Sequence, residues 1–170
     1  MCGKWSRPTR WNTRVMPTAR KGQGSIDIAA APDLVYDLIA DITRMGEWSP
    51  ECYRCEWLDG ARAAAPGARF RGYNRLGPLR WKRTVVIDTA ARGREFAFTT
   101  VNEGAGRQET SWRYTMVPSP SGTLLTESFE FLWCSVPNRL LETLLPRGRQ
   151  VDRGIQQTLG RIKRAAETPG

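Results

Sequence analysis

The sequence predicts an α+β fold: a curved antiparallel sheet of seven strands around one long C-terminal helix, with two short helices after the first strand. Two observations carry this reading. Near the C-terminus Leu141, Leu144, Gly148, Val151, Ile155, Leu159, Ile162 and Ala166 recur at steps of three or four. That spacing draws one narrow apolar stripe along a helix from about Pro137 to Ala166, with a kink or restart expected at Pro146 and Gly148. Ahead of it, short alternating segments are separated by turn residues, the pattern of successive hairpins. A stripe of that length must lie against another element, and the sheet is what the chain offers.

In chain order, residues 1–22 hold two tryptophans, scattered arginines and prolines, and neither a helical nor a strand period. They read as a disordered basic leader. Translation from Met16, or a membrane-surface tether through Trp5, Trp11 and the arginines, are the alternatives. The segment lacks the apolar core of a secretory signal. A single domain is expected over 23–168. Ser25 to Ile28 alternates as a strand. Ala31-Pro32-Asp33 then opens a helix, because proline suits the first helical position and an acid favours the N-terminal dipole. Leu34, Val35, Leu38 and Ile39 are its expected buried face. Asp41 can cap a second short helix that Gly46 would end.

Trp48-Ser49-Pro50 exits into a strand near 52–58 with Tyr53, Cys55 and Trp57 on one face, followed by a loop rich in alanine, glycine and proline from Asp59 to Ala68. Further strands are expected over Arg69–Asn74, Leu79–Thr89, Glu95–Val101, Arg107–Val117 and Thr123–Trp133. Leu76-Gly77-Pro78, Arg92-Gly93, Asn102 to Gly106 and Pro118 to Gly122 are the turns between them.

Charge and composition exclude several functions. The net charge is +9, yet six basic residues (Lys4, Arg7, Arg10, Arg14, Arg20 and Lys21) fall in the leader without an acid. The rest has 20 basic against 17 acidic residues, so the body lacks the basic face of a nucleic-acid binder. No histidine is present, which excludes Ser-His-Asp and Cys-His nucleophile systems in this chain and removes the commonest transition-metal ligand. Cys52 and Cys55 form a CxxC on a strand. Residues three apart there face opposite sides, a poor geometry for a metal or a disulfide. Reduced thiols of a cytoplasmic protein are expected, with no metal and no cofactor.

Strand parity assigns the sheet faces. One face of the strand from 79 is Leu79, Trp81, Arg83, Val85 and Ile87; that of the strand from 123 is Thr123, Leu125, Glu127, Phe129, Phe131 and Trp133. Phe96 and Phe98, then Trp112, Tyr114 and Met116, come from the strands between. Such an aromatic surface is either an ordinary core or the wall of a pocket. Arg83 and Glu127 interrupt it as placed polar groups interrupt an apolar site, and each needs a partner if buried. A bulge turning them outward is the other option.

The combination Trp48-Ser49-Pro50-Glu51-Cys52, Gly67 to Arg75, Trp81, Trp112-x-Tyr114 and Gly122-Thr123-x-x-Thr126-Glu127 resembles the SRPBCC superfamily. Its closest branch is the polyketide cyclase/dehydrase and lipid-transport group of actinobacterial type, over about residues 24 to 166. The resemblance implies a helix-grip fold, a START-like apolar cavity between sheet and C-terminal helix, and small hydrophobic ligands. It transfers no catalytic set.

The leading reading is binding or carriage of a lipid or aromatic polyketide-like molecule. Trp48, Tyr53, Trp81, Arg83, Phe96, Phe98, Trp112, Tyr114, Glu127, Phe129, Phe131, Gly148, Val151 and Ile155 are the candidate ligand contacts. A cofactor-free cyclase or dehydratase is the alternative, with Glu127, Glu109 or Tyr114 as acid/base groups and Arg83 stabilising an enolate-like charge. A regulatory protein-interaction module is the third; it calls for an exposed apolar patch in place of a cavity.

Overall fold

The computed structural model describes residues 21–104, 106–132 and 147–168. The chain runs β1 (Lys21–Ile28), α1 (Pro32–Ala40), a 3-10 turn (Ile42–Arg44), α2 (Met45–Trp48), β2 (Cys52–Trp57), β3 (Arg69–Leu76), β4 (Leu79–Ala91), β5 (Glu95–Asn102), β6 (Arg107–Ser119), β7 (Gly122–Phe131) and α3 (Arg147–Glu167). The strands form one antiparallel sheet in the order β1-β7-β6-β5-β4-β3-β2. β2 to β7 are a meander, and β1 closes on β7 from the other side. This is the helix-grip arrangement. Among the described residues no helix is long and apolar enough to cross a membrane.

Several elements differ from the sequence reading. β1 starts at Lys21, inside the stretch assigned to the leader, because β7 extends far enough to pair Lys21 with Glu130 and Gly22 with Phe129. In α1 the buried residues are Val35, Tyr36, Ile39 and Ala40, while Leu34 is 46% exposed. Tyr36 sets that rotation: its ring meets Phe96 of β5 edge-on, with centroids 6.3 Å apart. Asp41 does cap, accepting a hydrogen bond from the Thr43 amide at 3.1 Å. Gly46 lies inside α2 instead of ending it. The predicted helix stretch 137–146 and Trp133 lie outside the described residues.

α3 is seated by its C-terminal half. Ile155, Leu159 and Ile162 are buried, and the helix makes its largest contact with β1 and smaller ones with α1, α2 and β7. Gly24 permits this approach: a Cβ there would stand 2.8 Å from Ile155 Cγ2 and 2.7 Å from Gln156 Nε2. Polar bonds pin the same end. Lys163 Nζ donates to the Asp27 carbonyl at 2.6 Å, and Glu167 Oε1 accepts from the Ala29 amide at 2.7 Å.

The opposite margin is set by α2 against β2. Register passes from Cys52↔Asn74 directly to Arg54↔Tyr73, which leaves Tyr53 as the extra residue of a β-bulge. Gly46 faces that bulge, and a Cβ on it would lie 2.5 Å from the Tyr53 carbonyl oxygen. Backbone cannot yield as a flexible side chain can. Gly46→Ala is therefore expected to lower unfolding free energy by about 1–3 kcal/mol, the usual range for overpacking, as measured by urea denaturation.

Candidate functional site

Because α3 is anchored over β1, its first turns stand off the concave faces of β3 to β6. A cavity of about 230 Å³ fills the gap. The sheet contributes Phe70, Trp81, Arg83, Val85, Phe98, Thr100, Trp112, Tyr114, Glu127 and Phe131; the helix contributes Val151, Gly154, Ile155 and Thr158. Met45 and the stretch Ser49 to Cys52 close the side beside α2. Its apolar wall is built from aromatic contacts that run across the strands, Phe70 of β3 to Phe98 of β5 at 5.7 Å and Phe98 to Tyr114 of β6 at 6.5 Å between centroids.

Two polar pairs interrupt this wall. Strand parity turns both Tyr114 and Glu127 inward, and the register places them directly opposite each other. Tyr114 Oη donates to Glu127 Oε1 at 2.8 Å. Glu127 is 3% exposed, and its Oε2 has no hydrogen-bond partner among the described residues. Burial pushes the Glu127 carboxyl from the ordinary 4.5 up to about 8, against a smaller opposing effect of the Tyr114 hydroxyl. Burial first, and then the neighbouring Glu127, also raises the Tyr114 phenol well above its usual value, so it remains a donor. At neutral pH Glu127 is thus mostly a neutral acid. With Oε1 accepting from Tyr114, its proton belongs on Oε2.

The second pair is Arg83 with Glu109, Nε to Oε2 at 2.6 Å. Glu109 Oε1 also accepts from Asn102 Nδ2 at 3.1 Å. Register between β5 and β6 passes from Thr100↔Thr110 to Val101↔Gln108, so Glu109 is a bulged residue. This is why Glu109 and the adjacent Thr110 both reach the cavity. Arg83 and Glu127 consequently do not pair with each other; each has its own partner.

The sequence candidates divide accordingly. Trp81, Arg83, Phe98, Glu109, Trp112, Tyr114, Glu127, Phe131, Val151 and Ile155 stand together on the wall. Four others do not. Tyr53 is 39% exposed, turned outward by the bulge, with its ring beside Tyr73 and the Arg75 and Arg80 guanidiniums. Trp48 is buried at the junction of α2 and α3, where its carbonyl accepts from Arg161 Nη1 at 3.3 Å. Phe96 packs under α1 against Tyr36, and Phe129 is packed against Trp112 and Phe131. Parity finds the inward face, but part of that face is covered by helices and only part faces the gap. Gly148 belongs to the first turn of α3, and its surroundings lie outside the described residues.

Sequence reasoning missed Met45, Cys52, Asn74, Thr100, Gly154 and Thr158 as wall residues. Thr100 carries a legible signal, lying two residues beyond Phe98 on the same strand face. Cys52 carries none, because the bulge that turns it inward leaves no distinctive residue in the sequence. Both Cys52 and Cys55 face inward, 7% and 6% exposed, which overturns the expectation that they lie on opposite faces. Among the described residues no group of three or more Cys, Asp or Glu side chains is placed to hold a metal ion.

A curved sheet gripping a helix across an apolar cavity with a few polar groups defines the START-like class of ligand-binding folds. Residues 19–167 match the family described as polyketide cyclase / dehydrase and lipid transport. The chain belongs to that family, within the SRPBCC superfamily. It is 34% identical to a Polyketide_cyc-like protein of Corynebacterium glutamicum, with 89% of this chain and 94% of that one covered and a TM-score of 0.61. A START superfamily protein of Mycobacterium smegmatis shares the fold at 15% identity, with 86% and 99% covered and a TM-score of 0.61. So does a protein from the dynemicin biosynthetic locus at 17% identity, with 88% and 48% covered and a TM-score of 0.61. Comparison with curated proteins found no match. Family and fold are those of hydrophobic-ligand-binding or polyketide-cyclase-like proteins.

The raised Glu127 carboxyl has a consequence for stability. In the unfolded chain it loses its proton near 4.5, and in the folded protein near 8. Between those values folding takes up a proton, so this group makes stability fall as pH rises, with the loss complete above about pH 8. Each tenfold difference in proton affinity between the two states is worth about 1.4 kcal/mol, so the loss amounts to a few kcal/mol. Denaturant titrations at pH 5, 7 and 9 are expected to show this slope in the wild type and a markedly flatter one in Glu127→Gln.

Proposed function

We propose that the protein binds a small hydrophobic molecule in the cavity and carries it without covalent chemistry. The observation that carries this reading is Glu127 Oε2, buried on a largely apolar wall without a hydrogen-bond partner among the described residues. An unpaired buried polar group costs about 1–3 kcal/mol, and a ligand that brings a complementary group to that point removes the cost. Neutral Glu127 donates to a carbonyl; ionised, it accepts from a hydroxyl. The ligand is therefore an apolar body with one oxygen function at its inner end, as in an aromatic polyketide-like ring system or a single-chain lipid.

Size supports a compact ligand. The cavity, at about 230 Å³, exceeds the void of about 150 Å³ that admits benzene. It lies just below the range of about 300–1,000 Å³ typical of drug-sized sites. Free Cys52 and Cys55 support a reducing compartment, the cytoplasm, as the place of action.

A second reading, a cofactor-free cyclase or dehydratase, is favoured by one observation. A carboxyl poised at about 8 beside a phenol is matched to general acid catalysis near neutral pH. In that reading Glu127 protonates a substrate oxygen, and Tyr114 holds the carboxyl in place. Measurable cyclisation or dehydration of a polyketide substrate that collapses in Glu127→Gln would establish it over simple carriage.

Val151 tests the cavity itself, since it lines the helix side and is only partly buried. Phenylalanine there should occupy the gap with little strain. Val151→Phe is expected to keep its melting temperature within a few degrees while losing at least about tenfold in affinity for the apolar fluorophore 1-anilinonaphthalene-8-sulfonate, since every 1.4 kcal/mol of lost contact is a factor of ten. Unchanged fluorophore binding in the variant would move the site elsewhere. A destabilised variant, together with a wild type that binds no fluorophore, would make the region a filled core.

A further inference from the structure

The bulge at Tyr53 creates an arrangement that the ligand reading leaves unused. It places Cys52 Sγ and Cys55 Sγ 3.4 Å apart on the inner side of β2, with both residues buried. Cys52 lies on the cavity wall and Cys55 behind it, against Met45 Sδ at 3.7 Å. The two thiols are already in van der Waals contact, whereas in a regular strand residues three apart diverge.

We propose that Cys52 and Cys55 form a redox-active dithiol in the cavity wall, with Cys52 the residue oxidised by peroxide and Cys55 the residue that closes the disulfide. The step balances in two stages. The Cys52 thiolate attacks one peroxide oxygen, the O–O bond breaks, and the departing hydroxide takes a proton to leave as water, with Cys52 left as a sulfenic acid. The Cys55 sulfur then attacks the Cys52 sulfur, the S–O bond breaks, and a second water departs with the Cys55 proton. Two sulfurs lose two electrons in total, and one peroxide gains them.

The order of the two residues follows from their surroundings. Cys52 faces the cavity, so a small polar oxidant entering there meets it first. The hydrogen bond with Cys55 lowers the Cys52 thiol, burial opposes it, and backbone hydrogen bonds at Arg54 and Tyr73 act with the lowering. Cys55 is shifted the other way, by that same hydrogen bond first and then by burial, and remains the protonated partner. Such a pair is at home in a reducing compartment, where disulfides are transient and regulatory.

The sequence offers a clean assay. Arg54 separates the two cysteines, so trypsin releases them on different peptides, residues 45–54 and 55–62. The full-length protein is treated with hydrogen peroxide, its remaining thiols are alkylated, and it is denatured and digested without reductant. The expected product is the 45–54 peptide disulfide-linked to 55–62, lost on adding dithiothreitol. In Cys55→Ser, dimedone should label Cys52, and in Cys52→Ser the labelling of Cys55 should fall at least tenfold. Recovery of both wild-type peptides as alkylated free thiols, under peroxide that oxidises Cys2 or Cys134, would overturn the proposal. So would equal dimedone labelling of Cys55 in Cys52→Ser. The wild-type digest needs no variant to fold.

Discussion

Ile155, Leu159 and Ile162 press the C-terminal helix onto β1 at a point where Gly24 presents no side chain. Lys163 and Glu167 fasten the same end to the backbone of Asp27 and Ala29. The rest of the architecture depends on this one-sided seating. A helix stays nearly straight over about 20 residues while the sheet curves away beneath it, so contact at β1 and separation from β3 to β6 belong to the same geometry. If the helix instead lay over the middle of the sheet, Phe98, Trp112 and Tyr114 would meet it directly and no room would remain. The cavity is thus a consequence of where the helix is pinned, and the residues that determine it lie largely outside the cavity itself.

The second determinant is the set of interruptions in the ladder. A regular antiparallel sheet gives each strand one inward residue in two, and a wall built that way is uniform. Here the extra residue near Glu109 brings a carboxylate to Arg83, and the extra residue Tyr53 brings two sulfurs inward together. Each bulge places beside the cavity a chemical group that simple alternation would have sent outward. Bulges that re-aim side chains next to a site are a recurrent device of antiparallel sheets.

This division also explains what the sequence disclosed. The succession of β2 to β7, the turns and the inward faces of β4 and β7 follow from alternation and glycine or proline punctuation, which are local properties, whereas the pairing of β1 with β7 is not local and is not legible there. The helix stripe is legible for the same reason. Alternation misplaces Tyr53, Cys52 and Cys55 because a bulge depends on pairing between two strands, and no residue of Cys52-Tyr53-Arg54-Cys55 demands one. It turns Phe96 and Phe129 inward correctly, yet which inward residues meet a helix and which meet a gap depends on packing across the molecule. Composition alone could not separate the buried Tyr36 from the exposed Leu34, since a helix nine residues long offers several plausible apolar faces.

In the proposed ligand-binding role, Glu127 is the group that would let such a wall discriminate between ligands. An additional methylene against Phe98 or Trp112 changes affinity by only about 1–3 kcal/mol, because an aromatic surface accepts many shapes. A buried carboxyl with one unpaired oxygen is more exacting. A ligand lacking the complementary oxygen function would fill the cavity and leave Oε2 unpaired in still drier surroundings, which penalises that ligand relative to one that carries it. Tyr114 sharpens this effect: by occupying Oε1 and holding the carboxyl in one orientation, it leaves a single direction in which a partner can approach. Glutamine at 127 would keep the shape but offer an amide in every protonation regime, losing the ability to switch from donor to acceptor near pH 8. Under the proposed carriage of a hydrophobic ligand, the same buried acid that reduces stability at high pH would also give the cavity its chemical selectivity, and the two properties would share one physical cause: removal of the carboxyl from water.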